Sequence, residues 1–171
     1  MWLFISLATQ VFLPEISTEP CDEIRKNSLK LSSAEAANSL EKYCGCTVNS
    51  LEFKKVLFSE IPNCLQESIT KLKVEQVELS TFPDEILELK NLEELSLRHT
   101  NISFLPGALA ELSVMKVLDL RGTSIVSLPD GLDHLERIDL RLTDINREDQ
   151  NQIRSKYPEV KIFFSSPCNC D

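Results

Sequence analysis

Apolar residues between Leu92 and Leu135 fall twice into one arrangement. LEELSLRHTNISFLPGALAEL is followed by MKVLDLRGTSIVSLPDGLDHL, with Leu97 and Leu120, Thr100 and Thr123, and Pro106 and Pro129 all offset by 23. Each copy reads L-x-L-x-x-T-x-I-x-x-L-P-x-x-L-x-x-L. The opening alternates apolar and polar positions, as a strand with one buried face does, and the closing leucines recur every third residue, as along a helical turn. One unit is therefore a strand, a turn and a short helix. Such a unit cannot cover its own apolar face, so neighbouring units must stack side by side over a shared core.

The arrangement extends in both directions. Leu72, Val74, Val77, Leu79, Phe82 and Pro83 take the places of Leu95, Leu97, Thr100, Ile102, Leu105 and Pro106, and 21 residues earlier Leu51, Phe53, Val56, Phe58, Ile61 and Pro62 do so again. Ile138, Leu140, Thr143 and Ile145 make a shortened last unit with no Leu-Pro after it, which gives five repeats over residues 51–145. Helical turns are expected from Asp84 to Asn91, Gly107 to Val114 and Asp130 to Arg137, with Ile86, Leu89, Leu109, Leu112, Leu132 and Leu135 turned inward.

Polar segments flank the array. Within residues 19–50, Ser32 to Glu35 has the form of a capping box and predicts a helix through Tyr43, with Ala36, Ala37, Leu40 and Tyr43 on one side. Within residues 146–171, Asn146 is an N-cap for a helix reaching Tyr157, and Pro158 stops it. Val160, Ile162 and Phe164 then alternate as an edge strand. A solenoid needs such caps because a terminal strand otherwise offers unpaired backbone groups to other chains.

This repeat resembles that of leucine-rich repeat proteins. The Leu-Pro after the turn is similar to Ras-suppressor-like and bacterial-type members, with Thr100, Thr123 and Thr143 where the family usually has Asn. The resemblance implies an α/β fold, a right-handed horseshoe with a parallel concave sheet, short convex helical turns, a helical N-terminal cap and a C-terminal cap. It also implies a module that binds a protein partner through the concave face. Alternatives are a structural surface or matrix protein and an enzyme inhibitor acting by occlusion. The family's extracellular cap is a four-cysteine cluster containing Cys-x-Cys, which Cys21, Cys44, Cys46 and Cys64 would supply here.

The 171 residues are 42% hydrophobic and 26% charged, the balance of one folded domain. A net charge of −9 argues against affinity for nucleic acid or anionic lipid, which requires clustered Lys and Arg. The apolar run from Trp2 to Leu13 is too short to span a bilayer, which takes about 20 residues. Residues 1–18 read as a candidate signal peptide, or as an apolar arm packed on the solenoid end, since no Lys or Arg precedes the run.

The six cysteines, Cys21, Cys44, Cys46, Cys64, Cys168 and Cys170, all flank the regular repeats. End-placed pairs with an apolar start point to disulfides in a secreted or cell-surface protein, the alternative being a cytoplasmic one, and the pairing stays open. A zinc site joining the two Cys-x-Cys motifs is excluded by distance, since strands about 4.8 Å apart put the ends of the array about 20 Å from each other.

No catalytic set is legible. His99 and His134 fall on different elements, the four glycines form no phosphate-binding pattern, and a Cys64 and His99 nucleophile competes with a disulfide. The expectation is a protein with no enzymatic activity, metal, cofactor or small-molecule substrate.

The repeat does predict a surface. Side chains between the framework leucines form columns on the sheet, one running Glu52, Lys73, Ser96, Asp119, Asp139 and its neighbour Lys54, Glu75, Arg98, Arg121, Arg141. Charges oppose one another within most strands, and exposed pairs of that kind contribute only about 0–1 kcal/mol. Arg98 is the exception, its companion being Ser96. The predicted partner-binding residues are Ser96, Arg98, His99, Asp119, Arg121, Asp139 and Arg141, with Arg98 as the central anchor for a carboxylate-bearing protein. Asn101-Ile102-Ser103 is a glycosylation sequon, meaningful only if the chain is exported in a eukaryote.

Overall fold

The computed structural model describes residues 20–165. Seven parallel strands lie in one sheet in chain order: β1 (Ser28–Leu31), β2 (Ser50–Lys54), β3 (Lys71–Glu75), β4 (Glu94–Ser96), β5 (Val117–Asp119), β6 (Arg137–Leu140) and β7 (Lys161–Phe164). Equivalent leucines pair across the sheet, with Leu29, Leu51, Leu72, Leu95, Leu118, Ile138 and Ile162 forming one row. All of these but Ile162 are buried. The alternation read from the sequence thus becomes one continuous apolar layer, closed from the other side by Ile86, Leu89, Leu109, Leu112, Leu132 and Leu135, each at most 3% exposed.

One backbone device repeats along the array. Lys55, Gln76, His99, Gly122 and Leu142 each take a positive φ between 53° and 66°, at the residue that turns the chain away from its strand. The first four donate their N–H to the carbonyls of Glu75, Arg98, Arg121 and Arg141 in the next repeat, at 2.8 to 3.1 Å. Leu142 donates instead to the Ser165 hydroxyl at 2.7 Å, so just past the edge strand a side-chain oxygen takes the part that a backbone carbonyl plays in the earlier repeats. One residue later, the hydroxyls of Thr100, Thr123 and Thr143 donate to the carbonyls of Leu97, Leu120 and Leu140 at 2.7 to 2.8 Å. Thr therefore satisfies a backbone acceptor of its own strand at the position where Asn was the family expectation.

The N-terminal cap differs from the expected helix. Ser33, not Ser32, is the N-cap of α1 (Ala34–Ala37), accepting from the Ala36 N–H at 3.2 Å. The shift puts Ala36 where a capping box needs Glu, so the box does not close. The helix stops after one turn at Asn38 and Ser39, residues whose side chains compete for backbone groups, and Leu40–Tyr43 forms a separate 3-10 turn. Strand β1, in the middle of this cap, was not expected; it extends the sheet beyond the five repeats.

Among the described residues two disulfides with interleaved partners hold this end: Cys21 to Cys46 closes the cap on itself and Cys44 to Cys64 ties it to the first repeat, with Cα separations of 5.5 and 5.3 Å. The buried Tyr43 adds a hydrogen bond from its hydroxyl to Glu23. After β2 a single helical turn, α2 (Asn63–Gln66), crosses the convex side.

The convex turns are 3-10 at Asp84–Glu88 and Gly107–Glu111. The third, expected from Asp130 to Arg137, is irregular. Gly131 sits at φ 83°, outside helical space, where an added Cβ would come within 2.9 Å of the Ala110 side chain. At the far end α3 (Arg147–Lys156) is capped by Asn146, which accepts from the Asp149 N–H at 3.0 Å. Tyr157 closes this cap, its hydroxyl donating to the Pro129 carbonyl. The candidate signal peptide at residues 1–18, Cys168 and Cys170 lie outside the described residues. Among the described residues no helix is long and apolar enough to cross a membrane.

Candidate functional site

The side chains that alternate with the buried leucines face outward on the sheet, and strand register fixes which of them are neighbours. One column runs Lys30, Glu52, Lys73, Ser96, Asp119, Asp139, Phe163. Beside it stand Lys54 and Glu75 in register, followed by Arg98, Arg121 and Arg141 at the ends of the next strands. The first column extends the expected one by Lys30 and Phe163, and the second holds the five residues expected from the repeat.

Within the second half of the sheet the charges form a defined unit. Arg121 donates to Asp119 through Nε at 2.9 Å and through its terminal nitrogen at 2.6 Å, and Arg141 repeats this on Asp139 at 2.9 and 2.7 Å. Each aspartate also accepts from the arginine's own backbone N–H. The sequence Asp-Leu-Arg, occurring at Asp119 and again at Asp139, is thus a clip in which residues two apart on one face lock a guanidinium in a two-point bond. Such bonds hold an arginine in one orientation at little further entropic cost when it meets a partner.

Asp139 is the hub. Its side chain is 1% exposed, and Arg137 at 3.2 Å and Arg121 at 3.6 Å join Arg141 around it. Burial alone would raise its carboxyl, but the Arg141 side-chain and backbone hydrogen bonds and the nearby positive charge outweigh this and hold it below the usual carboxylate range. Bonding to Asp119 likewise holds the Arg121 guanidinium above its ordinary value. Phe163, next to Asp139 on β7, carries cations over its ring: Arg137 at 4.8 Å, Lys161 at 5.3 Å and Arg141 at 6.0 Å from the centroid. The result is an arginine-rich, aromatic patch in a chain of net charge −9.

Ser96, Asp119, Arg121, Asp139 and Arg141 share the outward face. Arg98 does too, but it is not free of carboxylates as its own strand suggested, since Glu75 lies 3.5 Å and Asp119 3.9 Å away across the strands. His99 is exposed at the left-handed turn position just after Arg98, with its ring where a Cβ on Gly122 would lie. Arg137, Lys161 and Phe163 lie outside the columns expected from the repeat: Arg137 falls where a helical turn is expected, and Phe163 stands between Ile162 and Phe164, whose alternation is what marks the strand.

Other chemistry is not assembled. Cys64, imagined as a nucleophile with His99, is bonded to Cys44. Among the described residues no group of three or more His, Cys, Asp or Glu side chains could hold a metal ion. Among the described residues, a depression of about 490 Å³ between α1 and α2 is lined by Glu41 and Glu60 with no basic side chain, and the hydroxyl of Ser59 there donates to the Ala37 carbonyl at 2.7 Å. Asn101 is exposed beside the turn at Thr100.

Residues 67–125 match the family model for the leucine rich repeat. No curated protein matches the chain. Among solved structures, a leucine-rich repeat protein of Leptospira interrogans superimposes with a TM-score of 0.62 at 23% identity, over 80% of this chain and 35% of that one. The chain thus spans about a third of the length of that protein, and the likeness is one of fold. Residues 67–125 are thus leucine-rich repeats by their sequence, and the described chain carries the fold of a leucine-rich repeat solenoid, with one strand to each unit.

Proposed function

We propose that this chain is a non-enzymatic module, secreted or held at the cell surface, that binds a protein partner on the concave sheet. The observation that carries this reading is the row of arginines Arg98, Arg121 and Arg141, two of them clipped to aspartates of their own strands, running toward Phe163 on one open face. Arginine and aromatic side chains dominate binding hot spots, and groups already fixed in orientation lose little freedom on association. The excess of Arg121, Arg137, Arg141 and Lys161 over Asp119 and Asp139 favours an acidic partner surface. The two disulfides of the N-terminal cap support an oxidising location. Export in a eukaryote would also make the exposed Asn101 a glycan acceptor.

Photo-crosslinking tests the face. A photoreactive residue placed at Lys73 on the sheet, or at Glu88 on the convex side, is carried into a pull-down from the native fluid or cell surface. The expected result is one crosslinked protein from position 73 and none from position 88. Crosslinking from position 88 alone would move the binding face to the convex side.

A further inference from the structure

The Asp-Leu-Arg clip of β5 and β6 is left incomplete in the adjoining β4, which keeps the arginine but not the aspartate. In β4 the same register holds Ser96-Leu97-Arg98, so the carboxylate that would lock Arg98 is missing. In its place is a depression of about 140 Å³. That is too small for a drug-sized ligand, whose sites run from about 300 Å³, and large enough for the end of one side chain.

Its floor is polar and unsatisfied. Ser96 is only 9% exposed, and its hydroxyl has no hydrogen-bond partner among the described residues. The Arg98 Nε is buried and equally unpartnered, since its nearest carboxylate oxygen, on Asp119, is 3.9 Å away and beyond hydrogen-bonding reach. Asp119 is engaged by Arg121 at 2.6 Å and Glu94 by Lys71 at 2.6 Å, while Glu75 faces a terminal nitrogen of Arg98 at 3.5 Å and leaves its Nε without an acceptor. Four cationic and three anionic side chains line the depression, leaving one net positive charge. One monoanion matches that balance; a phosphate dianion would exceed it.

We propose that this depression receives a single Asp or Glu side chain of the protein partner, whose carboxylate completes the missing clip. One oxygen accepts from Arg98 Nε and the other from the Ser96 hydroxyl, as Asp119 accepts from Arg121. The proposal rests on the concave-face reading and adds the chemistry of one contact to it.

The test uses the full chain, ¹⁵N-labelled, with N-acetylglutamate N-methylamide as probe and the glutamine analogue as control. The Nε–H signals of Arg98, Arg121 and Arg141 are followed by NMR, the latter two serving as clipped references. The expected result is a saturable shift of the Arg98 signal with the glutamate probe only, and little change at Arg121 and Arg141. Ser96→Asp places the carboxylate on the chain itself and weakens that response at least tenfold. Equal shifts at all three arginines, an equal response to the glutamine analogue, or an unchanged response in Ser96→Asp would overturn the proposal. Those outcomes leave the concave-face reading standing if Arg141→Ala still weakens partner binding; loss of the Arg141 effect would remove that reading separately.

Discussion

In the left-handed column that closes the strands, Gly122 holds φ 66°, and a Cβ added there would lie 2.5 Å from a ring nitrogen of His99. Gly122→Ala is therefore expected to destabilise the chain by about 1–2 kcal/mol from the backbone alone, with a further cost for moving the imidazole. Leu142 holds φ 61° in the same column with an exposed side chain, so Leu142→Gly should recover about 1 kcal/mol. Urea denaturation of both variants checks the pair, and midpoints unchanged from the parent would contradict it.

Asp139 makes a pH-dependent claim. Its folded-state pKa is lowered, so its contribution to stability is complete above the unfolded value of about 3.9 and is lost as pH falls through the folded value. Asp139→Asn should cost about 2 kcal/mol at pH 7, because three arginines lose a charged acceptor, and should flatten the fall in stability below pH 4. Unfolding curves at pH 7 and pH 3 measure both effects; an acid limb as steep as the parent's would sink the assignment.

At the scale of elements, the disulfides decide how the N-terminal cap is held. It contains only single turns and one short strand, and the Cys21 to Cys46 bond closes a separation of 25 residues. Replacing both cysteines by Ser is expected to cost about 3 kcal/mol. Hydrogen exchange should then rise across residues 20–49 while β3 to β6 stay protected, because each repeat leans mainly on its neighbours. Uniform loss of protection along the array would show that the cap and repeats unfold as one unit.

The repeats were legible because their leucines keep strict spacing, and α3 because Asn146 and Pro158 mark its ends. Strand β1 was not, since Leu29 and Leu31 make only two matches before the chain departs from the repeat. The convex turn after Asp130 was misjudged because leucine spacing says nothing of the positive φ at Gly131. The columns could be written from register alone, but the buried state of Asp139 could not: it depends on Arg121, Arg137 and Arg141 closing over one carboxylate from neighbouring positions.

For the whole molecule, charge is distributed against the average. The chain carries −9 overall, yet the sheet from β5 to β7 presents Arg121, Arg137, Arg141 and Lys161 around two aspartates and Phe163. Such an arrangement steers an acidic partner to one face while the remaining surface repels it, and salt should slow association accordingly. The central claim is that this face is where the partner binds. Its most direct test is the affinity of the parent, Arg141→Ala and Glu88→Ala for the protein recovered by the pull-down, with thermal melts run alongside. The account predicts matching melts for the parent and Glu88→Ala, a folded Arg141→Ala, and binding weakened by about 2 kcal/mol, roughly thirtyfold, in Arg141→Ala alone. Equal affinities for all three folded proteins would contradict it.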